Sequence, residues 1–217
     1  MRLLPIIFIF LLFSCNKKDQ INNQYDRLSD KGLYSKFILG LNHSDSLLED
    51  YELYITKNRD TFYNQYKVYK NGVLDTLNSI YYSLDISKTD KPNTYKGIIT
   101  LHSKYENIKL NESIRREVQF GYCVQNKDSI DIVYLESKTE NTFEFEYENY
   151  YNHKLQGILY QIVLRDTIVD NEEYVNINRI YLLVDNDTLT DNLFLESYEI
   201  PKTKKFSFDK KSFVKDN

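Results

Sequence analysis

The chain has 217 residues, with 28 Lys and Arg against 32 Asp and Glu, a net charge of −4 and a pI near 5.5. That mildly acidic balance argues against nucleic-acid binding, which needs a clustered basic surface. Six glycines leave no room for a phosphate-cradling loop, and the length fits one large or two small domains. No alanine occurs, while Asn, Lys, Ile and Tyr are abundant. Such a bias makes the 20 tyrosines a weak pointer to a binding surface, since tyrosine favours strands whatever the function.

The first element is MRLLPIIFIFLLFSC. One early charge, Arg2, precedes an unbroken apolar run from Leu3 to Phe13. The run is shorter than the roughly 20 apolar residues of a spanning helix and fits the h-region of a secretory signal. Its end, Leu12-Phe13-Ser14-Cys15, resembles the lipobox of bacterial lipoprotein precursors. The resemblance implies a signal peptide over 1–14, a diacylglyceryl group on the Cys15 thiol, and cleavage before Cys15. It also implies acylation of the new amino group, and two or more acyl chains anchor stably where one does not. Removing residues 1–14 leaves 27 basic and 32 acidic residues, a net of −5. Asn16 follows the cysteine. An aspartate there favours inner-membrane retention in enteric-type sorting, so the outer membrane is expected, with the leaflet open. Residues 15–32 carry the lipidated cysteine and a polar stretch without periodicity, expected to be a flexible tether.

From Leu33 onward, short runs rich in Tyr, Ile, Val, Phe and Leu alternate with Asn/Asp/Lys turns. Clear strands are 66–69, 80–86, 97–101, 143–147, 157–164 and 180–184. Phe143, Phe145 and Tyr147 alternate with Glu144, Glu146 and Glu148, which places aromatics on one face and carboxylates on the other. Leu47, Leu48, Tyr51 and Ile55 also fit a helical spacing, so a short helix near 45–55 is an open alternative. Residues 122–137 align with 181–197 allowing one inserted residue, and 66–77 is a looser relative; each is expected to be a hairpin. Lys96-Gly97-Ile98-Ile99 and Gln156-Gly157-Ile158-Leu159 form a second echo.

The fold class is therefore all-β, an antiparallel immunoglobulin-like β-sandwich. Seven strands are expected near 115–124, 129–137, 142–149, 155–165, 174–184, 188–198 and 205–214, the number of an immunoglobulin-like sandwich. Residues 33–110 are assigned to a smaller sandwich unit and 111–217 to the seven-stranded one, with Asn107 to Asn111 as the boundary. One extended sandwich is the alternative.

Few residues point to chemistry. Cys123 has no partner once Cys15 is lipidated, so it is expected to be a buried structural thiol. Asp185, Asp187 and Glu196 occupy positions 1, 3 and 12 of a calcium-loop-like pattern, but Thr190 stands where that loop needs glycine. A solvated turn is expected there, and a solvated acidic loop at Asp166, Asp170, Glu172 and Glu173. No metal site or cofactor is assigned. His43, His102 and His153 are widely spaced without an adjacent nucleophile, so a catalytic triad would have to assemble in space. Asp-Ser/Thr-aliphatic recurs at Ser46, Thr76, Ser129, Thr167 and Thr188. It resembles the acceptor motif of a bacterial O-glycosylation system for exported proteins, and strand-entry chemistry also explains it. The C-terminal PKTKKFSFDKKSFVKDN has six lysines against two aspartates, as on an edge strand or a membrane-facing segment. The leading expectation is a lipid-anchored envelope protein whose sandwich presents a binding surface to another envelope protein or a glycan. Alternatives are an envelope hydrolase with a site built across strands and an inhibitor or immunity lipoprotein.

Overall fold

The computed structural model describes residues 34–55 and 61–197. The signal sequence, Cys15, the tether and the strand expected at 205–214 lie outside the described residues. In chain order the elements are β1 Tyr34–Ser44, β2 Leu47–Ile55, β3 Thr61–Lys70, β4 Val73–Lys88, β5 Thr94–His102 and β6 Ile114–Gln125. They continue with β7 Ile130–Ser137, β8 Thr142–Glu148, β9 Gln156–Val169, β10 Glu172–Asp185, β11 Leu189–Thr190 and the short helix α1 Leu193–Ser197.

Local chemistry explains the tightest connections. Asn71 and Gly72 both have positive φ, 52° and 75°, and close the β3–β4 hairpin. Asp170 and Asn171, at 52° and 65°, do the same between β9 and β10. Two consecutive left-handed residues match the twist of the flanking strands, and Asn, Asp and Gly bear that conformation best. The acidic residues around 166–173 thus sit on a two-residue turn and its strands rather than on a loop. Asp166 pairs with Arg115, and Glu172 accepts from Tyr174 Oη at 2.8 Å.

The strands form two antiparallel sheets packed as an all-β sandwich. The larger has the order β11-β1-β2-β3-β4-β5-β8, the smaller β10-β9-β6-β7. In β8 the alternation works as expected: Phe143, Phe145 and Tyr147 are buried and the glutamates are exposed. They meet Tyr82, Ile99 and Leu101 from β4 and β5, and Val118, Phe120, Leu159, Val163 and Leu182 from the smaller sheet. The opposite face of the smaller sheet contributes Cys123, Ile158 and Leu183 to a second cluster, with Tyr34 of β1, Tyr54 of β2, and Phe194 and Leu195 of α1. The larger sheet therefore reaches both faces of the smaller one, passing the β10 edge at β3.

Several expectations change. Residues 33–110 and 111–217 are not separate units in their pairing: β8 and β11 join the sheet of β1–β5, and one core draws on both ranges. The 45–55 segment is strand β2, whose helix-like spacing reflects a bulge between Tyr51 and Leu53 and burial from two sides. The 188–198 strand shrinks to Leu189–Thr190 followed by α1. Of the two similar segments, 122–137 is the β6–β7 hairpin. The 181–197 segment crosses between sheets, because β11 pairs with β1.

Gly97 of β5 lies beneath the Phe145 ring of β8, its cross-strand partner. A Cβ at Gly97 would fall 2.2 Å from Phe145 Cζ. Gly97→Ala must displace that core ring, and a loss of about 1–3 kcal/mol is expected. Val73→Ala, at a position 70% exposed, should stay within about 0.5 kcal/mol. Urea unfolding of both variants checks this; equal midpoints would contradict the packing described.

Candidate functional site

Three features stand apart from ordinary core packing: a buried carboxylate between the sheets, a polar relay on the larger sheet, and an apolar outward face on the smaller one.

The carboxylate is Asp185, at the end of β10. It is buried, not a solvated turn residue. Tyr54 Oη donates to its Oδ2 at 2.6 Å, Thr190 Oγ1 to its Oδ1 at 2.6 Å, and Asn192 Nδ2 to its Oδ2 at 3.0 Å. Lys36 Nζ donates to its carbonyl at 3.1 Å, and its backbone N–H donates to Tyr82 Oη at 3.4 Å. Two residues earlier, Asn64 of β3 imitates a strand. Its Oδ1 accepts from Leu183 N at 2.6 Å and its Nδ2 donates to Leu183 O at 2.8 Å. These bonds satisfy Leu183 at the outer edge of β10, which no strand among the described residues covers. Burial pushes the Asp185 carboxyl above its usual range, outweighing hydrogen bonds from Thr190, Tyr54 and Asn192 and the charge of Lys36. Burial, and then the Asp185 charge, push the Tyr54 hydroxyl far up. The Cys123 thiol, expected to be buried and structural, is buried and raised to about 11 by burial and by Asp185. It is therefore protonated and unreactive at neutral pH. Asp187 stays at the surface, 3.4 Å from Lys154 Nζ, and among the described residues no metal-ligating cluster occurs.

The relay is built on the β4–β5 pairing. Ser83 faces Thr100 and Tyr81 faces His102 in register, so all four share the outward face of the sheet. Ser83 Oγ lies 3.2 Å from His102 Nε2. His102 Nδ1 lies 3.6 Å from Glu106 Oε2. The Tyr81 ring stacks on the imidazole at 4.5 Å between centroids and 19° between planes. Behind the loop that carries Glu106 is a buried polar group. The Gln161 amide oxygen faces Arg116 and accepts from its Nε and Nη2 at 2.7 Å each, while the amide nitrogen donates to Ser103 Oγ at 3.0 Å. Arg116 also donates to Asn141 Oδ1, and Asn141 Nδ2 donates to the Glu106 carbonyl at 3.4 Å. Burial lowers the Arg116 pKa, with the Glu106 charge acting the other way. In the sequence His102 stands without an adjacent nucleophile. Ser83 and Glu106 carry no local sequence signal, and the register of the β4–β5 hairpin is what brings Ser83 to His102.

The apolar face belongs to β7, β9 and β10. Cross-strand register places Ile130, Ile132 and Tyr134 of β7 on the side away from the main core, with Tyr160, Ile162 and Leu164 of β9. Val175, Ile177 and Tyr181 of β10 continue it. Tyr134 is 61% exposed, Ile177 is 50% exposed, and Tyr160 stacks on Tyr181 at 4.7 Å.

The Asp-Ser/Thr-aliphatic sites separate by environment. Ser46 and Ser129 are exposed in the β1–β2 and β6–β7 turns, and Thr188 is exposed in the β10–β11 turn. Thr76 is exposed where β4 bulges away from β3 between Asp75 and Ile80. Thr167 is half-buried within β9 and accepts from Asn176 Nδ2 at 2.9 Å. His43 pairs with Glu49 at 3.0 Å, far from the relay in the fold, and His153 is exposed in the β8–β9 loop. Comparison with protein families, with curated proteins and with solved structures returned no match.

Asp185→Ala would strip Tyr54, Thr190 and Asn192 of their shared acceptor, and a loss of about 2–5 kcal/mol is expected. The raised pKa also sets a sign. The native state holds the Asp185 proton more tightly than the unfolded chain, where Asp titrates near 3.9. This contribution is full below that unfolded value and is lost as pH rises through the higher folded one. Asp185→Asn removes it, so the stability difference between wild type and variant should move in the variant's favour from about pH 3.5 to 7. Denaturant titrations across that range test this, and a difference independent of pH would refute it.

Proposed function

We propose that this chain is a lipid-anchored protein of the bacterial cell envelope that presents the outward face of its smaller sheet to a protein partner. The supporting observation is two groups of exposed aliphatic and tyrosine side chains on that face, one on β7 and one on β9 and β10, with Glu117 and Gln119 of β6 between them. Exposed apolar groups gathered on one sheet face mark an interaction site more often than residues exposed singly do. Ile and Val dominate it, which fits a protein better than a glycan, and Trp is absent from the chain. The lipobox-like Leu12-Phe13-Ser14-Cys15 supports the anchor, and Asn16 supports the outer membrane. The exposure of Ser46, Thr76, Ser129 and Thr188 is compatible with O-glycosylation, whereas the hydrogen-bonded Thr167 is the least accessible candidate.

Cys15→Ser should move the native protein from the membrane pellet to the soluble fraction; retention in the pellet would end the anchor proposal. A photo-cross-linking residue at Tyr134 or Ile177 should capture a defined envelope protein that one at Val73 does not. Equal capture at all three positions would remove the face from consideration. Intact-mass measurement of the native protein is expected to exceed the lipidated mass if the four exposed sites are glycosylated, and a mass explained by lipid alone would exclude it.

A further inference from the structure

The Ser83–His102–Glu106 relay plays no part in partner binding through the smaller sheet. We propose that Ser83 is a nucleophile for acyl transfer, acting on short-chain acyl esters of a hydroxyl-rich polymer. The order of atoms carries the inference. The carboxylate sits at Nδ1 of His102 and the hydroxyl at Nε2, the polarity that a general base needs. A proton held on Nδ1 beside Glu106 leaves the Nε2 lone pair pointing at Ser83. The 3.6 Å His102–Glu106 separation is loose, as such bonds often are before substrate binds. Tyr81 fixes the plane of the ring. The Arg116–Gln161–Ser103 group and Asn141 hold the loop bearing Glu106.

The neighbouring strands supply a donor for developing charge. Thr100 is the register partner of Ser83, and its Oγ1 lies 2.9 Å from Thr142 Oγ1 of β8. With Thr142 donating in that contact, the Thr100 hydroxyl proton is the one turned to an oxyanion beside Ser83. In the first half-reaction Ser83 Oγ bonds to the ester carbonyl carbon while its proton passes to His102 Nε2. Glu106 stabilises the imidazolium. The carbon–oxygen bond to the alcohol then breaks, and His102 returns the proton to that alcohol. In the second half, His102 takes a proton from water, the resulting hydroxide attacks the acyl-Ser83 carbonyl, and the carboxylic acid leaves as Ser83 regains its proton. Atoms and charge balance with water as the co-reactant.

The surroundings select the substrate. The floor is flat, with Ser83 and Thr142 exposed and Thr100 half-buried, so an ester on a long carrier crossing the strands fits better than a small molecule that needs enclosure. Asp85, Lys96 and Glu144 on the same outward face offer polar contacts to hydroxyl groups.

The test uses the full chain and an alkyl fluorophosphonate probe, read by intact mass and peptide mapping. Ser83 is expected to be phosphonylated at least tenfold faster than the exposed Ser46 or Ser129. His102→Ala and His102→Gln should lower that rate by about 100-fold or more with circular dichroism unchanged. Glu106→Gln should lower it less and alter its pH profile. p-Nitrophenyl acetate should be hydrolysed faster than the octanoate. An unlabelled Ser83, or labelling that survives both His102 variants in folded protein, would overturn the nucleophile. Faster octanoate turnover would overturn the substrate class. Neither result bears on partner capture at Tyr134.

Discussion

A buried carboxylate has to be hydrogen-bonded or the fold that buries it does not form. Asp185 meets that condition only when two pieces of chain converge on it: Tyr54 from β2, and the 190–192 segment that supplies Thr190 of β11 and Asn192 just before α1. The Asn64–Leu183 pair two residues away has the same logic, with a side-chain amide substituting for a missing strand at an edge. Together they join β10 of the smaller sheet to β2, β3 and β11 of the larger. Hydrophobic burial supplies the bulk of the driving force, but it is non-directional. The polar joint sets which edge meets which strand, and so decides that the larger sheet passes the β10 edge and reaches both faces of the smaller one.

That arrangement leaves two surfaces with different chemistry. Where α1, Phe194 and Leu195 cover the outward face of the smaller sheet, Cys123, Ile158 and Leu183 are packed. Beyond them the same face exposes Tyr134, Ile132 and Ile177. On the larger sheet the outward face carries a polar cluster beside the exposed Ile98, with Ser83, Thr100, His102 and Thr142 gathered by register alone. Two functions on opposite layers are compatible, because a sandwich separates its outer faces by the thickness of its core.

Much of the strand content was legible in the sequence because its signals are local. Phe143-Glu144-Phe145-Glu146-Tyr147 alternates with the pleat, and Asn71-Gly72 announces a tight hairpin. Sheet membership was not legible, since nothing in Thr142–Glu148 or Leu189–Thr190 records that those strands cross to pair with β5 and β1. Asp185 resembled a turn residue for a related reason. It follows Tyr181-Leu182-Leu183-Val184 and precedes Asn186-Asp187, while its partner Tyr54 is 131 residues away. β2 imitated a helix because a bulge and burial on two sides erase period-two alternation. The relay was half visible: His102 could be named, but only the hairpin register places Ser83 against it.

Amide hydrogen exchange along β10 tests the joint most directly. Leu183 and Ile177 point their N–H groups to the same strand edge, which no strand among the described residues covers. Leu183 donates to Asn64 Oδ1 and should exchange only with global unfolding, whereas Ile177 should exchange orders of magnitude faster through local opening. In Asn64→Ala the Leu183 amide should join the fast class while Val184 stays protected by its pairing with β9. A Leu183 amide that exchanges as fast as Ile177 in the wild-type protein would contradict the central claim.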